Sequence, residues 1–475
     1  MPRRLTSLAV VLACVWLISL QAGMALAQER CGLCQSISSD SWLSRIWEEE
    51  SCLRSVSPCE DWTYSLGVEI RHRYMDERGR LRPPGPGRSR YQLWRVRPFA
   101  EITYRDWVTG YVEAIDASSF GEDLPVLPID VNRDDLLQYY LDVNLWSNDA
   151  HSMRLRYGRQ LLKYGSQHLV SPLGWANTMR NFEGAKLYYR GGDWSIDGFL
   201  MQSVNAAAGG QFRPFSFDTP DQSRWFNGIY ATYAGLPNSV VDVYWLWLRE
   251  AEPRADRIDG NRHTIGARWA PTVSIREGEQ TVRTWFADVE SAYQFGTDSF
   301  GAADDQDVSA GFFSAIVGHT WNALPWSPTV QGVFWWGSGD DDPTDGTNHT
   351  VSTLYPLGHA YWGQIDNFAG QNLLDYSIQG SIKPRKDITL SAAWHRFDKD
   401  ESADFIYNIG GAPLGPSGTD KNLGHELDLV ATFQPCERLG FQAGYFWFWY
   451  GEAVTQTALA RPDAHQFYFQ STLSY

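Results

Sequence analysis

From residue 61 to the C-terminus one pattern repeats: about ten residues alternating apolar and polar, then a connection. Leu137, Tyr139, Leu141, Val143 and Leu145 alternate with Gln138, Tyr140, Asp142 and Asn144. Leu374, Tyr376, Ile378 and Ile382 do the same with Asp375, Ser377, Gln379 and Ser381, and Leu427, Leu429, Ala431 and Phe433 with Glu426, Asp428 and Thr432. A period of two with one apolar face predicts half-buried strands, and no long segment shows a helical period of 3.6. Eighteen such segments run from 63–75 to 466–475. Their connections alternate in length: 76–90, 117–134, 161–181, 204–225 and 338–370 are long, whereas 105–106, 148–151, 191–193, 235–238 and 383–386 are short. Only 271–282 is longer than this rule wants.

An even number of strands, with short turns at one end and long loops at the other, predicts an all-β transmembrane antiparallel barrel of about eighteen strands. In lipid every backbone N–H and C=O must be paired, so a sheet there has to close on itself. Composition agrees. The chain carries 22 Trp, 23 Tyr and 23 Phe, yet its mean hydropathy is −0.36. So many rings argue against disorder. No apolar run of helix-spanning length follows the N-terminus, which argues against a helical bundle. Rings placed on a lipid face and at its two rims account for both facts. The last strand sets Phe467, Phe469, Leu473 and Tyr475 on one face, which resembles the insertion signal of bacterial outer-membrane proteins. A secreted soluble β protein leaves rows such as Trp94, Val96, Ala100, Ile102 and Tyr104 unexplained, and no blade repeat is visible.

Residues 1–27 read as a cleaved secretory signal: Arg3 and Arg4, an apolar stretch Leu5–Leu20, then Ala25-Leu26-Ala27. Residues 28–60 then form a small Cys-containing periplasmic segment ahead of a 61–475 barrel. Its Cys31-x2-Cys34 and Cys52-x6-Cys59 read as disulfide candidates in an exported chain. Zinc is the rival, but the second gap is wrong and no His lies nearby; a haem attachment site would need His where Gln35 stands.

If apolar positions face lipid, the residues between them face a lumen. Arg71, Arg73, Arg95, Arg97, Arg154, Arg156, Lys186 and Arg268 then point inward, opposed by acids such as Glu69, Asp142, Asp242, Asp288, Glu290, Asp375, Glu426 and Asp428. Only six of the 40 basic residues are Lys. Arg is the better carboxylate binder, because its planar fork makes two parallel hydrogen bonds. Two readings fit: an anion-conducting pore, or Arg–acid ladders that brace the wall. The net charge of −16 excludes a nucleic-acid partner.

Two loops carry a family resemblance. One is Gly158-Arg159-Gln160-Leu161-Leu162-Lys163-Tyr164-Gly165, continuing through Gln167-His168-Leu169-Val170, Trp175-Ala176-Asn177 and Arg180-Asn181-Phe182-Glu183-Gly184. The other is Gly337-Ser338-Gly339-Asp340-Asp341-Asp342-Pro343-Thr344-Asp345-Gly346, then Tyr355-Pro356-Leu357-Gly358-His359-Ala360-Tyr361-Trp362-Gly363-Gln364-Ile365-Asp366 and Gln371-Asn372. Both resemble the alginate export family of outer-membrane porins, over essentially residues 61–475. The resemblance implies an eighteen-stranded barrel that exports a polyuronate through an Arg-rich constriction, with Arg159 and Arg180 in or beside it. Arg159 shares a strand face with Tyr157, so a bulge is required to turn it inward. Asp340, Asp342 and Asp345 admit a Ca²⁺ site, although turn-forming Asp is the simpler reading. The expected function is a passive outer-membrane channel exporting an anionic polysaccharide such as alginate; the alternative is a general or oligosaccharide- or organic-acid-specific porin. Neither needs a cofactor. Expected partners are outer-membrane lipid, the acidic saccharide and periplasmic export proteins. His168, His359 and His395 form no Ser–His–acid arrangement by spacing, so no enzyme is expected.

Overall fold

In the computed structural model, which describes residues 55–59, 61–82, 87–204, 216–250, 258–300, 306–414 and 420–475, eighteen long strands pair antiparallel in chain order. They are β1 Trp62–Arg78, β2 Arg88–Tyr104, β3 Val108–Phe120, β4 Asn132–Ser147, β5 His151–Gln160 and β6 Asn181–Gly191. There follow β7 Trp194–Val204, β8 Pro220–Tyr233, β9 Ser239–Glu250, β10 Ile258–Glu277, β11 Gln280–Phe300 and β12 Gln306–Thr320. The last six are β13 Thr329–Gly337, β14 Leu373–Arg385, β15 Ile388–Asp398, β16 Asn422–Cys436, β17 Leu439–Tyr450 and β18 Ala464–Ser474. β18 pairs with β17 and with β1, from Glu69↔Ser474 to Arg78↔His465. The sheet is a closed barrel without edges, as a lipid environment demands.

The connection at 271–282 obeys the length rule after all. β10 and β11 extend until Glu277 pairs with Gln280, leaving a two-residue turn in which Gly278 takes φ +62°. Val273 and Ile275 continue the outward row along that extension. A short strand, Val56–Cys59, lies antiparallel on β1, so the end of the Cys-bearing segment joins the sheet. Residues 1–27, Cys31, Cys34 and Cys52 lie outside the described residues.

Outward side chains are apolar and exposed, as with Leu141 (58%), Leu200 (61%) and Ile378 (58%). Trp62, Trp107, Trp146, Trp194, Trp269, Trp285 and Trp326 ring the short-turn end; Trp94, Trp225, Trp394 and Trp449 stand toward the long loops. Amphipathic rings prefer the headgroup layer. One residue leaves the expected row. Glu113 pairs with Gln138 but Ala114 with Leu136, so Leu137 is bulged and swings inward, 1% exposed, against Ile115 and Ala117.

Candidate functional site: the lumen and its two inward loops

The loop after β5 (161–180) and the loop between β13 and β14 (338–372) both fold into the barrel and meet there. Tyr355 N–H donates to Leu169 C=O and Ser171 N–H to Tyr355 C=O, at 2.9 and 2.8 Å. Trp175 stacks on His359 with centroids 3.6 Å apart and planes 7° off parallel. Walls on several sides hold the pair. His168 Nδ1 lies 2.7 Å from Glu290 of β11. Tyr164 donates to Asp197 of β7 at 3.0 Å, and the Tyr361 hydroxyl to Ser166 C=O. Ile365 N–H donates to Glu426 of β16 at 2.8 Å. Trp362, Phe368 and Ile365 are buried against Trp335 or its neighbours, so a hydrophobic core crosses the lumen and narrows it.

The cations named from sequence fall into three groups. Arg71, Arg73 and Arg95 clamp the loop after β5 through its carbonyls. Arg71 donates to Gly174 and Ala176 (2.9 and 2.6 Å), Arg95 to the same two (3.2 and 3.0 Å), and Arg73 to Trp175 (2.9 Å). The Arg73 guanidinium also sits 3.5 Å over the Trp175 ring. Arg180 donates to Ser171 and Pro356 C=O, joining the two loops; burial pushes its guanidinium down to about 10. Among the described residues no carboxylate lies within salt-bridge distance of Arg71, Arg73 or Arg180. A second group lines the wall in ion pairs. Arg97 bridges Glu69 and Glu113; Arg154 and Arg156 share Asp142; Lys186 meets Asp197 at 3.5 Å; Arg268 spans Asp242 and Asp288.

Arg159 stands alone as the third. Tyr157 is 70% exposed to lipid while Arg159, two residues on, is 3% exposed. No extra residue is inserted in the β5–β6 ladder; instead Gly158 adopts φ +133° opposite Gly184 at φ +155°. Only glycine takes that conformation without strain. Arg159 then donates to Leu136 C=O (2.9 Å) and Asp218 C=O (2.7 Å) and pairs with Glu183. It braces the loop seam.

The acidic loop bonds to itself. Asp340 Oδ1 accepts from Asp342 N–H, Asp342 Oδ1 from Thr344 N–H and hydroxyl, and Asp345 Oδ1 from Thr347 N–H. Asp341 is exposed, and His359 bonds Asp366 at 3.0 Å, within the same loop. Among the described residues no three His, Cys, Asp or Glu side chains are arranged to hold a metal.

Reading the lumen for charge alone overlooks its other wall. β13–β16 present Gln331, Gln379, Ser381, Ser391 and Thr432, with Gln331 donating to Gln379 at 2.8 Å. Beneath the second inward loop Gln331, Gln379, Ser381 and Ser391 line a cavity of about 240 Å³ that also touches Gln364, His395 and Asp428. The same strand phase that picks out the arginines would have picked out these amides. Arg190, 2.6 Å from Asp197, and Tyr140 and Tyr188, flanking Arg156, were legible by that phase as well.

No protein with a curated description matches the sequence significantly. Solved structures share the fold. The chain is similar to the outer membrane protein OprD from Pseudomonas aeruginosa (12% identity, 87% of this chain and 93% of that one, TM-score 0.54). OccD3 (OpdP) from Pseudomonas aeruginosa gives 11%, 87%, 91% and 0.56, and OccAB2 from Acinetobacter baumannii 11%, 87%, 98% and 0.54. The model of the alginate export family matches residues 63–465, so this chain, an outer-membrane β-barrel channel of bacteria, belongs to the alginate export family.

Proposed function

We propose that the channel passively exports an anionic polysaccharide such as alginate through its cation-bearing lumen. One observation carries the reading: Arg71 and Arg73 are buried and Arg180 half-buried, all three hold neutral carbonyls, and none has a carboxylate at salt-bridge distance among the described residues. A buried charge left without a counter-charge is costly, so such a cluster favours a passing anion. Arg97, Arg154, Arg156, Lys186 and Arg268 keep 13–23% of their side chains exposed in the lumen and can share their donors with carboxylates of the solute. In the same reading residues 1–27 are removed on export, and Cys31, Cys34, Cys52 and Cys59 pair in the periplasm, where export proteins meet the barrel. Purified protein in planar bilayers should pass anions preferentially and be blocked by oligouronate in the micromolar to millimolar range. Cation selectivity, unaffected by oligouronate, would sink the proposal.

The core crossing the lumen supports a second reading, a porin for small organic acids or oligosaccharides, because a narrowed passage suits a small solute. Block that strengthens with uronate chain length favours the polymer; block by monomeric acids alone favours the small solute.

A further inference from the structure

We propose that the lumen carries a second subsite, for the hydroxyl groups of a sugar ring, in the cavity between the loop 338–372 and strands β13–β16. The inference rests on the polysaccharide reading and adds to it how a saccharide is told from any other polyanion. Its lining is unlike the cationic wall. Among the described residues no Lys or Arg borders the cavity; Gln331, Gln379, Ser381 and Ser391 supply amides and hydroxyls. The hydrogen bond between Gln331 and Gln379 uses one amide atom of Gln331 and leaves the other without a protein partner among the described residues.

The one carboxylate on the lining among the described residues, Asp428, sets the charge of the cavity's edge. Its side chain is 4% exposed, its Oδ2 accepts from Gln364 N–H at 3.3 Å, and its carboxyl group lies in hydrogen-bonding contact with that of Glu426. The same carboxylate would repel a carboxylate of the solute, so the cavity sorts for hydroxyls. Position completes the argument. β5, with Arg154 and Arg156, and β14, with Gln379 and Ser381, are nine strands apart in a ring of eighteen, on opposite walls. A polyuronate chain in the lumen then has cations for its carboxylates on one wall and amides and hydroxyls for its ring hydroxyls on the other.

The test is current block in planar bilayers by three probes: a neutral hexose trisaccharide, an oligouronate, and an oligoacrylate that has carboxylates but no hydroxyls. The parent channel should be blocked by all three. Gln331→Leu combined with Gln379→Leu should weaken block by both saccharides about tenfold, roughly the loss of one or two hydrogen bonds, and spare oligoacrylate. Ser391→Ala, a smaller change, should shift the saccharides in the same direction by a few-fold. Equal loss for all three probes, or no block by the neutral trisaccharide in the parent, overturns the subsite. Block by the trisaccharide without block by either polyanion would instead refute the anion path and leave the subsite standing.

Discussion

Replacing Arg73 with glutamine should free the first inward loop and weaken anion preference in one step. Arg73 contributes one charge-assisted hydrogen bond to Trp175 C=O, 2.9 Å long, and a cation–π contact 3.5 Å from that ring's centre. The first is worth about 1.5–3 kcal/mol, and the second about 2 kcal/mol when water is excluded. Removing a buried guanidinium also relieves desolvation, so the net loosening is about 2–3 kcal/mol rather than the sum. That is roughly a thirty- to 150-fold rise in the open population of the loop. Arg71 and Arg95 still hold Gly174 and Ala176, so the barrel stays folded. Hydrogen exchange at 172–177 should accelerate by that factor, with longer high-conductance episodes in single-channel records. The anion-to-cation permeability ratio should fall together with it. Faster exchange at an unchanged ratio would refute the role of Arg73 in selectivity; unchanged exchange would refute the clamp.

Three further outcomes are expected. Gly158→Ala should destabilise the barrel by about 2–3 kcal/mol, because φ is +133° and the new Cβ would stand 2.2 Å from Tyr139 C=O; a urea midpoint in lipid equal to the parent's would contradict this. Asp130, in the loop between β3 and β4, is pushed up to about 7 by burial and then by the Glu122 and Glu77 carboxylates. Its protonated form stabilises the folded loop, an effect complete below the ordinary carboxylate value and lost as pH rises through about 7. Protection from exchange at 127–131 should therefore fall between about pH 4 and 7, and Asp130→Asn should flatten that profile. Leu200→Arg, on the lipid face, should cost about 2–4 kcal/mol if it lies near the bilayer midplane; an unchanged unfolding free energy would mean this face does not meet lipid.

Much of the wall was legible in the chain itself. Each of the eighteen alternating segments coincides with a strand, and the largest boundary change, 262–270 growing to Ile258–Glu277, extended the same alternation rather than breaking it. Strand phase also set Arg71, Arg95, Arg156 and Arg268 inward, because a period of two leaves only two faces. It failed at Leu137 and was undecided at Arg159. A bulge and a positive-φ glycine are backbone events, and one shifted residue reverses the face of its neighbours.

The partners of the lumen cations were beyond any phase argument. Arg73 and Trp175 are 102 residues apart, and Arg180 and Pro356 are 176 apart, so only folding of both loops into the barrel brings them together. Alternation determined that the chain closes around a polar interior, since unpaired backbone has no place in lipid. Tertiary structure decided which of the interior arginines clamp a loop, which brace the wall, and which face carries amides instead of charge, because those roles depend on contacts between segments that the sequence keeps far apart.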